Sequence, residues 1–527
     1  MPSKIRQMLE KLHVRDSAHL YESNLSAPEE NRFRHVHNLP NELLIQVFAY
    51  CTVDGATIVG GPMMPGMTFT SPALRLAHVC SRWRTVAATT PELWARISIF
   101  PTPRILNNFA ERCEKYLLLH LNRAEQAPMN IRLDIRQSQS EAGRKQLSRL
   151  YTILSRYSSQ FRHLKMDLIP VESLRKIGIV DHSDSQGLGI ILLESLSFGV
   201  PRVGGLEDQL FTALLNRTSF PNLRSLGIRF FIPGPTFTHE WAFPYAQLRH
   251  LSIEISVHSD IPHIFTSCSQ LKTLRIQLFG TTTSASSQTD PEWYTSGVKM
   301  QLAGLTDLTF DLHLADWGYK VTQQLLSLLS CPSLTSFTLS SSSVYWAEER
   351  ESIVHLRGIL DTFYDTVAAF LSRSASRVTS LTLHEARITD RSLKLLLGAL
   401  PSLQDLTIRE PRIPSSNVRS TLLCGSFLHD FIIAEDPKLL DNNILPALRR
   451  LTIEVNGEWC RVAELLVMES IVLSRLSTGI ESAFFGIPEE AAVDEESLSG
   501  FRDIQRSSDV AVKVVGQSRK RVFLCYE

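Results

Sequence analysis

Cysteine and histidine are the residue types in this sequence that could hold a metal or supply a nucleophile. The eight cysteines are scattered and form no CxxC pair; they are Cys51, Cys80, Cys113, Cys268, Cys331, Cys424, Cys460 and Cys525. Structural zinc sites take closely spaced ligands. His35 and His37 share one face of an extended segment, but two histidines do not complete a site. The sequence therefore predicts reduced thiols, no metal and no cofactor.

Motifs of nucleotide-binding and hydrolytic enzymes are also missing from the sequence. It contains no GxGxxG, no P-loop, no nucleophile elbow and no HExxH. Each of these motifs places backbone amides, a nucleophile or metal ligands at a strand or helix end. Their absence predicts a non-catalytic protein.

Two helical patterns near the N-terminus are the most ordered feature of the chain. The first begins at Leu39-Pro40, with Asn41 as the expected N-cap. Apolar residues recur on one broad face of it: Leu43, Leu44, Val47 and Phe48. The second runs from Leu74 to Ala87, before Pro91, and Trp83 is expected in the core where the helices meet. A short helical pair cannot bury all of this apolar surface, so part of it should need a partner or the next domain.

The order of these residues, LP-x-E-LL-x-x-VF followed by VC-x-x-WR-x-x-A and LW, resembles an F-box. The resemblance implies a helical module that docks on the SKP-type adaptor of cullin–RING ubiquitin ligases. It implies these adaptor-binding residues: Leu39, Pro40, Leu43, Leu44, Val47, Phe48, Val79, Cys80 and Trp83.

Residues 51–72 depart from the family pattern, because the connection between the two helical patterns is normally short. The insertion is rich in Gly, Pro and Met. It is expected to be a mobile loop that either loops out or covers part of the adaptor surface.

Composition and the distribution of charge bear on nucleic-acid binding, membrane insertion and secretion. The 527 residues carry 54 basic and 54 acidic side chains, so electrostatic binding to nucleic acid is not indicated. No apolar run reaches membrane-spanning length, and the charged N-terminus lacks the apolar core of a secretory signal. An intracellular soluble protein, cytoplasmic or nuclear, is expected.

A phrase of the form L-x-x-L-x-I recurs after residue 90. Its first leucines at 223, 248 and 271 are 25 and 23 residues apart, within the range of about 20–29 residues of leucine-rich repeats. Weaker copies begin at Phe161, Leu193 and Leu428. Helical patterns lie between the phrases, and a proline often precedes the strand. The repeats predict parallel strands with outer helices, stacked in a curved solenoid.

The whole chain is thus expected to be α/β, with an F-box module ahead of an irregular leucine-rich-repeat solenoid. This arrangement resembles the expanded F-box family of mushroom-forming fungi. The expected division is 1–35 for an N-terminal helix and linker, 36–95 for the F-box, and 96–527 for the solenoid with a C-terminal cap. Strand–helix alternation also occurs in doubly wound and barrel enzymes, but those need longer apolar strands and a catalytic loop.

The alternation of strand residues places polar side chains on the exposed face of the repeats. Candidate contacts to a protein substrate on this face are Arg229, Glu254, Arg275, Asp307, His384, Arg409 and Arg450. Loop tryptophans are a second set of candidates, either as interface anchors or as packing residues; they are Trp241, Trp293, Trp317 and Trp346.

Two functions remain open from the sequence. The first is a substrate-recognition subunit, in which the F-box binds the adaptor, and through it the cullin–RING ligase, and the repeats bind an unknown protein substrate. The second is a repeat scaffold outside any ligase, with a vestigial F-box that the 51–72 insertion blocks.

Overall fold

The computed structural model describes the chain in the following ranges: residues 39–60, 67–100, 106–134, 141–167, 192–200, 220–230, 244–255, 261–278, 297, 299–312, 316–341, 353–374, 377–386, 388–410, 425–433, 444–454, 462–487, 498–516 and 522–524. The expected N-terminal helix and linker, with His35 and His37, lie outside these ranges. So do Trp241, Trp293 and Trp346.

The chain divides into two compact units. Unit 1 comprises Met1–Val200 and Arg217–Asn222, and unit 2 comprises Pro201–Asn216 and Leu223–Glu527. Both have a mixed α/β architecture with a mostly parallel sheet, which is compatible with a solenoid.

Unit 1 begins with three helices, α1 (Asn41–Cys51), α2 (Pro72–Ala77) and α3 (Ser81–Ala88). The expectation of one continuous helix after Leu74 is wrong, because the chain leaves the helix after Ala77. The Cys80 Sγ then accepts a hydrogen bond from the Trp83 amide at 3.4 Å and caps α3. Asn41 is not the N-cap of α1 either. Pro40 holds that position, without a side-chain cap.

The insertion between α1 and α2 forms two strands, β1 (Ala56–Gly60) and β2 (Met67–Thr70). They pair with each other antiparallel, and β1 also pairs parallel with β3 (Arg96–Phe100). Ile58 is buried opposite Ile99. The expectation of a mobile loop is therefore wrong for these residues, because burying the alternate apolar residue of β1 against β3 favours a strand.

The remainder of unit 1 alternates strands and helices, in the order β3, α4 (Leu106–Ala124), β4 (Met129–Asp134), α5 (Glu141–Ser155), β5 (Phe161–Asp167) and β6 (Ser195–Val200). The strands β1, β3, β4, β5 and β6 are parallel neighbours in that order. The sheet of unit 1 therefore begins inside the segment expected to be the F-box.

Gly55 joins α1 to this sheet and adopts a backbone that only glycine tolerates well. Its φ is 68°, and a Cβ there would lie 2.6 Å from both the Cβ and the carbonyl oxygen of Arg96. We expect Gly55→Ala to cost about 2–4 kcal/mol in pairing of β1 with β3, from backbone strain and overlap together. Hydrogen exchange of residues 56–60 measures this loss.

Gly479→Ala is the matched control for that substitution. Gly479 has φ 86°, but no atom lies within 4 Å of the position that a Cβ would take there. Backbone strain alone should cost about 1–2 kcal/mol at this residue. Equal losses at the two glycines would show that the close approach to Arg96 contributes nothing.

Unit 2 contains a long series of parallel strands. In spatial order they are β7 (Ser225–Phe230), β8 (His250–Ile255), β9 (Thr273–Leu278), β11 (Asp307–Leu312), β13 (Ser336–Ser341), β14 (Ser380–His384), β15 (Asp405–Arg409), β16 (Arg450–Glu454), β17 (Ser482–Ile487) and β18 (Ala511–Gly516). The last strand, β19 (Val522–Leu524), pairs antiparallel with β18. A separate short pair joins β10 (Met300–Gln301) to β12 (Leu329–Ser330).

The helices of unit 2 lie between these strands in sequence. They are α6 (Ile261–Ser267), α7 (Asp316–Leu328), α8 (Ile353–Ser372), α9 (Asp390–Gly398), α10 (Val462–Arg475) and α11 (Ser499–Ser507). The long spacing between β13 and β14 is largely filled by α8. The weak repeat at Leu428 forms no strand; Gly425–Phe431 is a 3-10 helix.

The alternation predicted for the repeat strands is confirmed by burial. The first leucine and the following apolar pair of each phrase are buried, as at Leu403, Leu406 and Ile408. Neighbouring residues on the other face are half-exposed. The apolar residues therefore form the core of each unit, and the polar residues form an accessible sheet face.

Candidate protein-docking surface

The apolar residues of α1 fall on two adjacent stripes with different environments. Leu44 and Phe48 are fully buried, whereas Leu43 is 44% exposed and Val47 is half-buried. Successive residues of a helix are about 100° apart, so positions 43 and 47 share one stripe and 44 and 48 share the next. One stripe packs against the module itself, and the other is available to a partner.

The buried stripe fixes α1 to α3 through an aromatic contact. The ring centroids of Phe48 and Trp83 are 4.9 Å apart, at an angle of 59°. Trp83 thus lies at the junction of the helices, as predicted, but it is half-buried and not a fully buried core residue. Its Nε1 is buried and has no acceptor among the described residues.

Arg82 holds the start of α1 against α3. Its Nε and Nη2 donate to the Asn41 Oδ1 at 3.2 and 2.9 Å, and Nη2 also donates to the Leu39 carbonyl oxygen. The Asn41 side chain is therefore engaged by Arg82 and does not cap α1. The Leu39-Pro40 turn, which opens the helix, is held in place by this interaction.

The expected adaptor-binding residues divide into three groups by exposure. Pro40, Leu43 and Val79 are exposed, and Val79 reaches 57%. Leu39, Val47, Cys80 and Trp83 are half-buried. Leu44 and Phe48 are fully buried, so they can serve a docking surface only by holding α1 in position.

Three exposed large apolar residues of α1 and the turn after it were not among the expected contacts. Ile45 is 37% exposed and lies about 200° around the helix from Leu43. Tyr50 is 52% exposed and Val53 is 55% exposed. Tyr50 follows Val47 by three residues, so the helical spacing could have indicated it. Val53 comes after the end of α1, where periodicity gives no information.

His120 joins α4 to this module. It is 1% exposed, with Nδ1 3.3 Å from the Trp94 carbonyl oxygen and Nε2 3.1 Å from the Ser71 Oγ. The carbonyl can only accept, so Nδ1 carries the proton and Nε2 accepts from the Ser71 hydroxyl. The Ser71 Oγ in turn accepts from the Leu74 amide at 3.1 Å and caps α2.

This environment favours the neutral imidazole. Burial lowers the pKa of His120 to about 4, although its hydrogen bond to Trp94 acts in the opposite direction. Its ring packs 5.0 Å from that of Trp94 and 5.9 Å from that of Phe69, and Phe69 stacks on Tyr116 at 4.0 Å. β2, α4 and Trp94 therefore meet in one aromatic cluster, in which His120 and Trp94 are buried and Tyr116 is 37% exposed.

Three of the seven expected substrate-binding residues of unit 2 form ion pairs with side chains of neighbouring strands. Arg275 Nε lies 2.5 Å from the Asp311 Oδ2, and Arg409 Nε lies 3.0 Å from the Glu454 Oε1. Arg450 contacts both carboxylate oxygens of Asp405.

The other expected contacts of this face differ in accessibility. Asp307 accepts from the Thr306 hydroxyl at 2.6 Å, and Arg229 and His384 are half-buried. Glu254 is buried, which removes it from the accessible face and corrects that expectation.

Threonines occupy the middle of this face on five successive strands. Direct register pairing joins Thr309, Thr338, Thr382, Thr407 and Thr452. The face therefore offers hydroxyl and methyl groups at its centre, with ion pairs beside them. The opposite charges paired across neighbouring strands leave this part of the face with little net charge.

The described part of the chain offers little for covalent or metal chemistry. Burial raises the pKa of the Cys113, Cys268 and Cys331 thiols to about 12, which disfavours the reactive thiolate. Within the described ranges, no group of three or more His, Cys, Asp or Glu side chains could hold a metal ion. None of the helices described has the length and apolarity that crossing a membrane requires.

Comparison with known families identifies the class of the N-terminal module. Residues 36–99 match the family model described as F-box-like. No curated protein matches the chain. An F-box-like domain supports binding to an SKP-type adaptor in general, and F-box proteins are generally non-catalytic adaptors.

Proposed function

We propose that this chain is the substrate-recognition subunit of an SCF-type cullin–RING ubiquitin ligase. Its F-box-like module binds the SKP-type adaptor, and its parallel sheets form an irregular leucine-rich-repeat solenoid that holds a protein substrate. The chain itself supplies no catalytic group; it brings the substrate close to the transferring enzyme. An intracellular location, cytoplasmic or nuclear, follows from this role.

The observation that supports the proposal most strongly is the exposed stripe within the F-box-like match. Leu43 and Val47 stand on α1, and Val79 stands at the turn before α3, without being needed in the module's own core. Exposed apolar side chains gathered on one small module are typical of a protein interface.

The repeat sheet is the proposed substrate surface. Its accessible candidates are Arg275, Asp307, Arg409 and Arg450, beside the central threonines. Because several of these charges are paired within the sheet, a substrate would recognise the face through shape and hydrogen bonds more than through net charge.

The scaffold alternative requires the insertion to block the F-box-like surface. The described parts of the insertion pair with each other and with β3, which favours the receptor function. Deleting residues 53–70 would remove β1 and β2 from the sheet. Point substitutions on α1 therefore test the proposal more cleanly.

The combined substitution Leu43→Ala and Val47→Ala should lower adaptor affinity by about 100-fold, because each residue contributes buried apolar surface to the complex. The thermal unfolding midpoint should change little, since neither side chain is fully buried. Titration calorimetry with a purified SKP-type adaptor measures the affinity.

The matched control is Leu395→Ala with Leu466→Ala, two leucines of unit 2 that are 47% and 55% exposed. This control variant should bind the adaptor like the wild type. Wild-type affinity in the Leu43/Val47 variant would refute adaptor binding through α1.

A further inference from the structure

We infer that the adaptor-docking surface continues beyond the F-box helix onto the start of the insertion, through Tyr50 and Val53, and that Arg96 positions Val53. This inference rests on the proposed function. It assigns a role in recognition to a segment that was expected to be a loop of no function or an obstruction.

The exposed apolar stripe is continuous from α1 into the turn that follows it. Leu43, Val47 and Tyr50 follow one another on α1 at steps of four and three residues, and Val53 lies in the turn after Cys51. At 1.5 Å per residue, the helical part of the stripe extends about 10 Å. Tyr50 and Val53 are more exposed than Leu43, so the stripe does not fade at the end of the helix.

The backbone at Val53 is held in place although the side chain is exposed. The Arg96 Nη1 donates to the Val53 carbonyl oxygen at 2.8 Å, and the Gly55 amide donates to the Thr52 carbonyl oxygen at 2.9 Å. β1 begins at Ala56, directly opposite Ile97. A backbone that is already ordered loses little conformational entropy on binding, which favours an interface role for Val53.

After Val53, the insertion forms hydrogen bonds between its own strands. The Thr68 and Thr70 hydroxyls donate to the carbonyl oxygens of Val59 and Thr57, at 3.3 and 3.5 Å. The described strands of the insertion are thus bonded to each other and to β3. They leave Tyr50 and Val53 exposed.

The occupant of the extended stripe is the SKP-type adaptor, because the stripe is continuous with the F-box-like surface. No charged residue interrupts the four apolar positions, and exposed Glu42, Gln46 and Asp54 stand beside them. An apolar centre with a polar rim is the usual organisation of a specific protein interface.

The test is calorimetric titration of the full chain with the purified adaptor. We expect Tyr50→Ala and Val53→Asp each to weaken binding by about tenfold or more, as for interface anchors. Leu466→Asp, at a leucine of the same exposure in unit 2, is the matched control and should leave the affinity unchanged.

Arg96 is tested with a double-mutant cycle. Arg96→Met should weaken binding by about threefold in the wild-type chain and have no effect in a Val53→Ala chain, because its role passes through Val53. Independent effects of the two substitutions would overturn the positioning role.

The titrations distinguish failure of the extended surface from failure of the proposed function. Wild-type affinity in the Tyr50 and Val53 variants of a chain that binds the adaptor overturns the extended surface and leaves the proposed function standing. Absence of binding by the wild-type chain overturns both.

Discussion

Replacing Arg475 with alanine is expected to destabilise the C-terminal part of unit 2 by about 3–5 kcal/mol. Arg475 ends α10 and is fully buried. Its Nε donates to the Phe431 carbonyl oxygen at 2.9 Å, and its Nη1 and Nη2 donate to those of Leu445 and Ile444, each at 2.6 Å.

The expected loss of stability comes from the hydrogen bonds that Arg475→Ala removes and from the cavity that it creates. The Phe431 and Ile444 carbonyl oxygens would lose the donor that Arg475 provides, whereas the Leu445 carbonyl oxygen would keep its bond from the Leu448 amide at 3.2 Å. The volume of the guanidinium would become a cavity. Leu445 has φ 59°, which is unfavourable for a leucine, and the Arg475 hydrogen bond helps to hold it. Relief of the buried charge offsets part of the loss, since burial lowers the Arg475 pKa to about 10.

Native-state hydrogen exchange of residues 425–433 and 444–454 measures the local opening free energy. Arg449→Ala is the control, because Arg449 is exposed and pairs with Glu481 at 3.1 Å on the surface. That pair should contribute about 1 kcal/mol or less. Similar losses for the two variants would show that the buried hydrogen bonds of Arg475 are not stabilising.

Acidification should loosen the contact between the F-box-like module and α4. The pKa of His120 is lowered from 6.5 to about 4 in the folded chain. Between these pH values the unfolded state binds more protons, so stability is complete above about pH 6.5 and falls as the pH drops toward 4. The loss at this one residue should approach about 3 kcal/mol.

The loss of stability at low pH arises from the hydrogen bonds and the surroundings of His120. Protonation would add a hydrogen to Nε2, which accepts from the Ser71 hydroxyl in the neutral state. It would also place a charge among Trp94, Phe69 and the apolar side of α4. Exchange of residues 67–77 and 106–124, corrected for the intrinsic rate at each pH, measures the change.

His120→Gln should flatten this pH dependence while leaving the structure in place. His163→Gln is the necessary companion, because burial and the charges of Arg162 and Arg96 also lower the pKa of His163 in the same unit. If His120→Gln kept the wild-type slope and His163→Gln removed it, the assignment to the aromatic cluster would be wrong.

The local spacing of apolar residues in the sequence was sufficient to predict the main helices and strands. The steps of three and four residues among Leu43, Leu44, Val47 and Phe48 predicted α1, and the recurring apolar alternation predicted the repeat strands. Both signals are local, because side-chain direction in a helix or strand depends on the backbone of a few consecutive residues. The F-box-like motif is recognisable for the same reason.

Features that depend on distant partners could not be predicted in this way. The insertion becomes β1 and β2 because β3, about 40 residues later, offers an edge for pairing. Asn41 fails to cap α1 because Arg82 engages its side chain. The weak repeat at Leu428 becomes a 3-10 helix whose last carbonyl is bound by Arg475, 44 residues away.

At the candidate site too, the sequence and the tertiary structure determined different properties. The sequence by itself determined which residues of α1 are apolar and how they are spaced, and hence the class of module. Only the tertiary structure decided that Leu44 and Phe48 are buried while Leu43, Tyr50 and Val53 remain exposed. The physical reason is that burial depends on what packs against a helix: Trp83 of α3 covers one stripe of α1, and the neighbouring stripe stays open to solvent.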